Sequence, residues 1–182
     1  MIERFVLSGT GGQGVITAAI ILAESALYHT EYNAVQTQVY GPEARGGSAR
    51  SDVIIADREI LFPKVLEPNV LVCLSQMAYD RYCSLVRPGG VVITDPHYVK
   101  RWQHASSRHV EVPLHDTAMR ELGSTQAINI CLLGALVRLI PIVPLDGVRD
   151  VVSRRFPERF RAANSAALDL GAGLVQESVT TF

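Results

Sequence analysis

The sequence predicts an α/β fold: an open, doubly wound, mostly parallel sheet with helices on both faces and a helical C-terminal third. Short apolar segments alternate with helical patterns and turns through the first two-thirds of the chain, which is typical of parallel sheets. The last third shows helical spacing of apolar residues almost throughout. We find no internal repeat and no linker in the 182 residues, so we expect a single domain over residues 1–182.

The individual elements follow from local patterns. Strands are predicted at residues 2–8, 32–39, 51–56, 70–74, 91–94 and 110–112. Helices are predicted at residues 13–29, 76–86, 115–122, 125–140, 145–155 and 157–175. Ser75 is placed to cap the helix that follows it. The helix at 125–140 is apolar on nearly every side, which indicates burial in a core, or in a core plus an interface.

Composition excludes several classes of protein. With 48% hydrophobic and 19% charged residues, the chain is globular, and a net charge of −1 argues against nucleic-acid binding. The most apolar segment, Ala127 to Ile140, is too short to span a bilayer, and no signal peptide precedes the first predicted strand. Cys73, Cys83 and Cys131 form no C-x-x-C pair, which indicates a reducing compartment. We therefore expect a cytoplasmic protein with neither nucleic-acid nor membrane partners.

A glycine-rich stretch, GTGGQG at Gly9–Gly14, lies between the first predicted strand and the first helix. It fits the G-x-G-x-x-G pattern, in which backbone amides at a helix N-terminus hold a phosphate. The second half of that fingerprint is an acidic residue after the second strand, and residues 35–39 contain none. A dinucleotide site is thus disfavoured. A tight turn, or a turn that holds another anion or a partner, remains open.

A second unusual stretch, YGPEARGGSARS, occupies Tyr40–Ser51 and is interpreted as a loop. Four of its residues are typical of turns, because glycine permits positive φ values and proline fixes φ: Gly41, Pro42, Gly46 and Gly47. Its arginines are suited to hold an anion by forked hydrogen bonds. The alternative is that Glu43 and Arg45 form an ordinary exposed ion pair, which stabilises a fold very little.

The histidines give no metal-binding motif. The five are His29, His97, His104, His109 and His115. No pair has the H-x-x-x-H spacing with a glutamate, so we expect no metal site. Asp95-Pro96-His97 follows a predicted strand, at the end where α/β proteins bind ligands. We interpret it as a capped loop, with contact to a ligand as the alternative.

Taken together, the two loops resemble those of a known family. GTGGQGV at Gly9–Val15 and YGPEARGGSARSDVII at Tyr40–Ile55 are similar to the gamma subunit of 2-oxoacid:ferredoxin oxidoreductases, and the second motif looks most like the 2-oxoglutarate type. Weaker similarities lie at Phe62-Pro63, Asn69–Val72, Asn129, Leu133–Leu136, Phe160, Asn164, Ala167 and Gly171. The family often has Asp in place of Asn69. The resemblance covers nearly the whole chain.

The resemblance implies a Rossmann-like accessory subunit, without catalytic residues of its own, that packs on the catalytic subunits. The holoenzyme would decarboxylate a 2-oxoacid to an acyl-CoA and pass electrons to ferredoxin. Thiamine diphosphate, Mg²⁺, an iron–sulfur cluster and CoA are expected there, with alpha, beta and delta subunits as partners. This chain has neither the Gly-Asp-Gly…Asn-Asn thiamine diphosphate signature nor a cysteine cluster, so we expect it to bind none of these cofactors alone.

The same resemblance implies that both loops face a ligand or a partner subunit. The residues concerned are Gly9, Thr10, Gly11, Gly12, Gln13, Gly14, Tyr40, Gly41, Pro42, Glu43, Arg45, Gly46, Gly47 and Arg50. The glycines would present backbone amides, and Arg45 and Arg50 would supply charge to a CoA phosphate or a partner carboxylate. Two alternatives stay open: a stand-alone NAD(P)-binding oxidoreductase and a structural adaptor without a ligand.

Overall fold

The computed structural model describes residues 1–38, 48–102 and 107–178. Six strands lie within these ranges: β1 (Ile2–Thr10), β2 (Asn33–Gln38), β3 (Ser48–Ala56), β4 (Val70–Cys73), β5 (Val91–Thr94) and β6 (Arg108–Glu111). The helices there are α1 (Val15–His29), α2 (Gln76–Tyr82), α3 (Leu114–Leu122), α4 (Ile128–Leu139), α5 (Leu145–Arg155) and α6 (Arg161–Ser178). Short 3₁₀ turns follow α2 and precede α6. The predicted α/β class and element order are confirmed.

The strands form one mixed sheet in the order β2-β3-β1-β4-β5-β6. β1, β4, β5 and β6 are successively parallel, and β3 runs antiparallel to both of its neighbours, β1 and β2. The sheet is therefore mostly parallel, as predicted, with β3 as the exception. β3 begins at Ser48, where it pairs with Thr10. The interpretation of Ser48–Arg50 as loop is thus wrong, because these residues extend the predicted strand at 51–56 and its ladder with β1.

Helices cover both faces of the sheet. Alternate residues of β1 point to opposite faces, so Phe5 and Leu7 join a large core with α1 and α4, while Val6 joins a smaller core with Tyr79 of α2. The Ser75 side chain accepts a hydrogen bond from the Ala78 amide at 3.2 Å, which confirms its capping role. Among the described helices, none has the length and apolar character needed to cross a membrane.

Helix α4 is the centre of the larger core. Every residue from Ile128 to Val137 is buried, and the contacting helices include α1, α3, α5 and α6 of the same chain. The predicted burial of this helix is confirmed, and the core of the chain itself accounts for it. α4 and α6 meet backbone to backbone: a Cβ on Gly134 would overlap the Leu168 carbonyl, and one on Gly171 would overlap the Cys131 carbonyl.

We expect Gly171→Ala to reduce the free energy of unfolding by about 3 kcal/mol, because the added methyl group must push α4 and α6 apart. Gly173→Ala is the matched control on the same helix, since nothing lies within 4 Å of a Cβ there. It should leave stability unchanged or raise it by up to about 1 kcal/mol through helix propensity. Urea unfolding of both variants measures the difference, and equal midpoints would contradict the close helix contact.

Candidate functional site

The glycine loop joins the end of β1 to the start of α1. Gly12 and Gly14 have φ values of 93° and 72°, a left-handed conformation that favours glycine. Gly14 is the N-cap residue of α1, and the helix has neither a side-chain cap nor an acidic residue in its first turn. Within the part of the chain that the structure describes, the amides of Gly11, Gly12 and Gly14 donate to no acceptor. The loop therefore presents N–H groups at a positive helix end, which suits an anion.

Gln13 fixes the shape of this loop. Its Oε1 accepts a hydrogen bond from the Thr10 amide at 2.7 Å, and its Nε2 donates to the Leu74 carbonyl at 2.8 Å. Burial raises the pKa of Tyr98, and a hydrogen bond with Gln13 opposes that rise. Gln13 thus connects the glycine loop to the residues that follow β4 and β5. Its position within the motif was predicted from the sequence, whereas this bridging role was not.

Gly14 is also required by a close contact with α4. A Cβ at Gly14 would lie 2.7 Å from Nδ2 of Asn129, a buried residue in the first turn of that helix. Asn129 was a weak element of the sequence resemblance, since a single asparagine carries little information. The fold gives it a physical reason, because its side chain packs directly on the N-terminus of α1.

The second loop motif is flanked by strands that end beside the glycine loop. β2 ends at Gln38, and β3 begins at Ser48, paired with Thr10. Arg50 is the predicted site residue of this motif that the structure describes. The others lie outside the described residues: Tyr40, Gly41, Pro42, Glu43, Arg45, Gly46 and Gly47. The last described residue of β2, Gln38, and the first of β3, Ser48, therefore lie toward the edge of the sheet where the glycine loop lies.

Arg50 is held within the protein by several contacts. Its guanidinium forms a two-point hydrogen bond with Asp52, at 2.7 and 3.0 Å, and donates to the Val65 carbonyl at 3.1 Å. The Arg50 guanidinium carbon also lies 4.6 Å from the centre of the Tyr82 ring. Asp52 is buried, so it compensates the charge of Arg50 in a medium of low polarity. A role for Arg50 toward an external anion stays a prediction.

The sheet order bears on the dinucleotide alternative. In a dinucleotide-binding fold the second strand lies beside the first, and its end carries the acid that binds the ribose. Here β3 occupies that place, so β2 lies two strand spacings, about 10 Å, from β1. The described end of β2, residues 35–38, also lacks an acid. The phosphate-binding half of the fingerprint thus exists without the half that recognises ribose.

The loops after β5 and β6 are joined by a buried carboxylate. Asp95 accepts hydrogen bonds from the amides of His97 and His115, at 2.9 and 2.7 Å. Burial raises the pKa of Asp95, and the two amide hydrogen bonds oppose that rise. The interpretation of Asp95-Pro96-His97 as a capped loop is confirmed by the first of these bonds. The second bond, from the next loop along the sheet, was not foreseen.

Comparison with known proteins identifies the family. Residues 4–174 match the family model described as pyruvate ferredoxin/flavodoxin oxidoreductase. The chain belongs to this family. Among curated members, it is 40% identical to the 2-oxoglutarate synthase subunit KorC of Methanocaldococcus jannaschii over 179 residues, covering 97% of this chain and 96% of that one. The resemblance seen in the two loop motifs is therefore confirmed.

Solved structures of family members share the fold. The gamma subunit of a keto/oxoacid ferredoxin oxidoreductase from Geobacter sulfurreducens has a TM-score of 0.90 at 32% identity, with 98% of both chains covered. A 2-oxoglutarate:ferredoxin oxidoreductase from Magnetococcus marinus, solved with 2-oxoglutarate, coenzyme A and succinyl-CoA bound, has a TM-score of 0.84. At 23% identity, over 97% of this chain and 31% of that one, this second likeness concerns the fold alone.

We expect Gln13→Ala to make the glycine loop more mobile while the protein stays folded. Hydrogen exchange at the Thr10 amide should accelerate roughly 5-fold, because the amide loses its acceptor and a hydrogen bond contributes about 1 kcal/mol. Gln76→Ala is the matched control, since Gln76 accepts from the Lys100 amide at 2.8 Å and donates to its carbonyl. This control should accelerate hydrogen exchange at the Lys100 amide and leave exchange at the Thr10 amide unchanged. Equal exchange at Thr10 in both variants would contradict the bridging role of Gln13.

Proposed function

We propose that this chain is the gamma subunit of a 2-oxoglutarate:ferredoxin oxidoreductase. The holoenzyme would convert 2-oxoglutarate and CoA to succinyl-CoA and CO₂ and pass two electrons to ferredoxin. The observation that carries the proposal is the 40% identity to a 2-oxoglutarate synthase subunit, which extends over nearly the full length of both chains. Similarity over a whole subunit favours the same place in a complex.

In this proposal the cofactor chemistry belongs to partner subunits. Thiamine diphosphate would supply the carbanion stabilisation for decarboxylation, and iron–sulfur clusters would carry the electrons. The cysteines of this chain do not fit an iron–sulfur cluster, which usually needs four thiolate ligands. Its cysteines are three, all buried, and Cys73 lies on β4 whereas Cys131 lies on α4. Burial raises the pKa of Cys131 to about 11, so this thiol is protonated at neutral pH.

The proposed contribution of this chain is to hold an anionic group at the glycine loop. That group would be a CoA phosphate or a carboxylate of a partner subunit. Three observations support this: glycine amides that have no acceptor among the described residues, a helix N-terminus without a side-chain cap, and a loop held in shape by Gln13. A negative charge at such a helix end is stabilised by the aligned peptide dipoles and by direct N–H donation.

The two arginines take different parts in the proposal. Arg45 would supply the positive charge beside the glycine loop, since β3, which follows it in sequence, begins there with Ser48 paired to Thr10. Arg50 would hold the first residues of β3 in place through its hydrogen bonds with Asp52. Because Asp52 already compensates its charge, Arg50 would not itself bind the anion. Glu43 and the glycines of the second motif would complete a surface that contacts the ligand or the catalytic subunits.

The experiment is an anaerobic purification of this chain from its own cell with the proteins bound to it. The complex should be brown and should reduce viologen with CoA and 2-oxoglutarate, with kcat/KM at least about 10-fold above that for pyruvate or 3-methyl-2-oxobutanoate. Such a ratio follows when buried groups that pair with the second carboxylate of 2-oxoglutarate are left unpaired by the other substrates. Higher activity with pyruvate would contradict the assigned substrate. A chain that purifies alone and colourless would contradict the assembly.

A further inference from the structure

Three potential metal ligands meet at the carboxyl edge of the sheet, on the loop after β5 and in the first turn of α3. The imidazole rings of His97 and His115 stack with their centroids 3.4 Å apart and their planes inclined by 15°. Both Nδ1 atoms point at one oxygen of Asp116: Oδ1 lies 3.1 Å from His97 and 3.0 Å from His115. One donor atom from each residue lies within 4.8 Å of the others.

The two histidines are held in place by residues outside the cluster. The buried Asp95 carboxylate accepts one backbone amide from each histidine, so the two loops cannot separate without breaking a hydrogen bond. The Tyr98 ring packs edge-on against both imidazoles, with centroid distances of 4.9 and 5.4 Å. Both histidines are thus arranged before any ligand arrives, which reduces the entropy that binding would cost.

The donor set and its spacing fit a metal ion. Zn²⁺ takes imidazole nitrogen and carboxylate oxygen at about 2.0–2.2 Å, and two such ligands at a tetrahedral angle lie about 3.3 Å apart. The distances from Asp116 to the two histidines are close to that value. We propose that His97, His115 and Asp116 bind a divalent transition-metal ion, of which Zn²⁺ fits the donors best.

Binding needs only a small local change. The side chain of Asp116 is 65% exposed, so its carboxylate can turn aside and admit an ion between itself and the two Nδ1 atoms. Any proton that an Nδ1 atom carries must leave, and it passes to solvent as the ion binds. Three protein ligands leave at least one position for water or for a ligand oxygen, as in open zinc sites.

The site was not expected from the sequence, because the motif search looked for two histidines one helical turn apart. His97 follows β5 and His115 opens α3 after β6, so the parallel pairing of β5 and β6 brings them together. This inference does not depend on the proposed function, since it concerns residues beyond the two loop motifs.

The test is calorimetric titration of the untagged, chelator-treated full chain with Zn²⁺. Saturable binding of one ion per chain is expected. His97→Ala and His115→Ala should each weaken it more than about 100-fold, and Asp116→Asn more than about 10-fold, since even an outer-shell partner contributes 10–100-fold. His29→Gln is the matched control: His29 contacts Asp150 at 2.9 Å in another His–Asp pair and should leave Zn²⁺ affinity unchanged.

Co²⁺ provides a second readout. Substitution with Co²⁺ should give visible ligand-field absorption, and Asp116→Asn should need at least about 10-fold more Co²⁺ to reach it. The Asp116 side chain is exposed, so this substitution leaves the core of the protein intact. Equal Zn²⁺ affinity in the wild type and the three cluster variants would overturn the proposal. Weak uptake that does not saturate, or a loss of affinity in His29→Gln as large as in the cluster variants, would overturn it too.

Discussion

The antiparallel strand β3, inserted between β1 and β2, is the constraint on which the arrangement of the candidate site depends. Its pairing of Ser48 with Thr10 brings the second loop motif to the glycine loop. The same insertion moves β2 away from β1, so a helix N-terminus that can hold a phosphate lacks a neighbouring ribose-binding strand. The strand order thus keeps the geometry of an anion-binding loop without the strand arrangement of a dinucleotide site.

The carboxyl edge of the sheet is held together by two polar side chains. Gln13 connects the loop after β1 to Leu74 after β4, and Asp95 connects the loops after β5 and β6. Tyr98 lies between them, since it contacts Gln13 on one side and both stacked histidines on the other. The glycine loop and the histidine cluster therefore belong to one continuous edge, where parallel α/β sheets commonly bind ligands.

Much of the fold could be predicted from local sequence patterns. The glycine loop, the Ser75 cap and the buried helix α4 each produce a signal within a few residues, and each was found by that signal. The direction of β3 could not be predicted, because an apolar strand pattern carries no information about which neighbour it pairs with. Its first residues, Ser48–Arg50, look like a loop in the sequence, since they follow two glycines and include no β-branched or aromatic residue.

The contacts that define the site were the hardest to foresee. Asn129 packs on Gly14, and Gly171 packs on α4, across elements far apart in the sequence. Arg50 reads as a free positive charge in the loop motif, and only the strand register shows that Asp52, two residues on, compensates it. The histidine cluster depends likewise on the pairing of β5 with β6. In each case a side chain acquires its role from a neighbour that only the tertiary fold supplies.

The central claim is that the glycine loop holds an anionic group other than a dinucleotide. Hydrogen exchange of the assembled complex, with CoA or with NAD(P)⁺ added, tests it most directly. We predict slower exchange at the Gly11, Gly12 and Gly14 amides with CoA and no change with NAD(P)⁺. The Asp57 amide, which donates to the Met1 carbonyl at the opposite end of β3, should stay unchanged as an internal control. Slower exchange of the loop amides with NAD(P)⁺ would contradict the account.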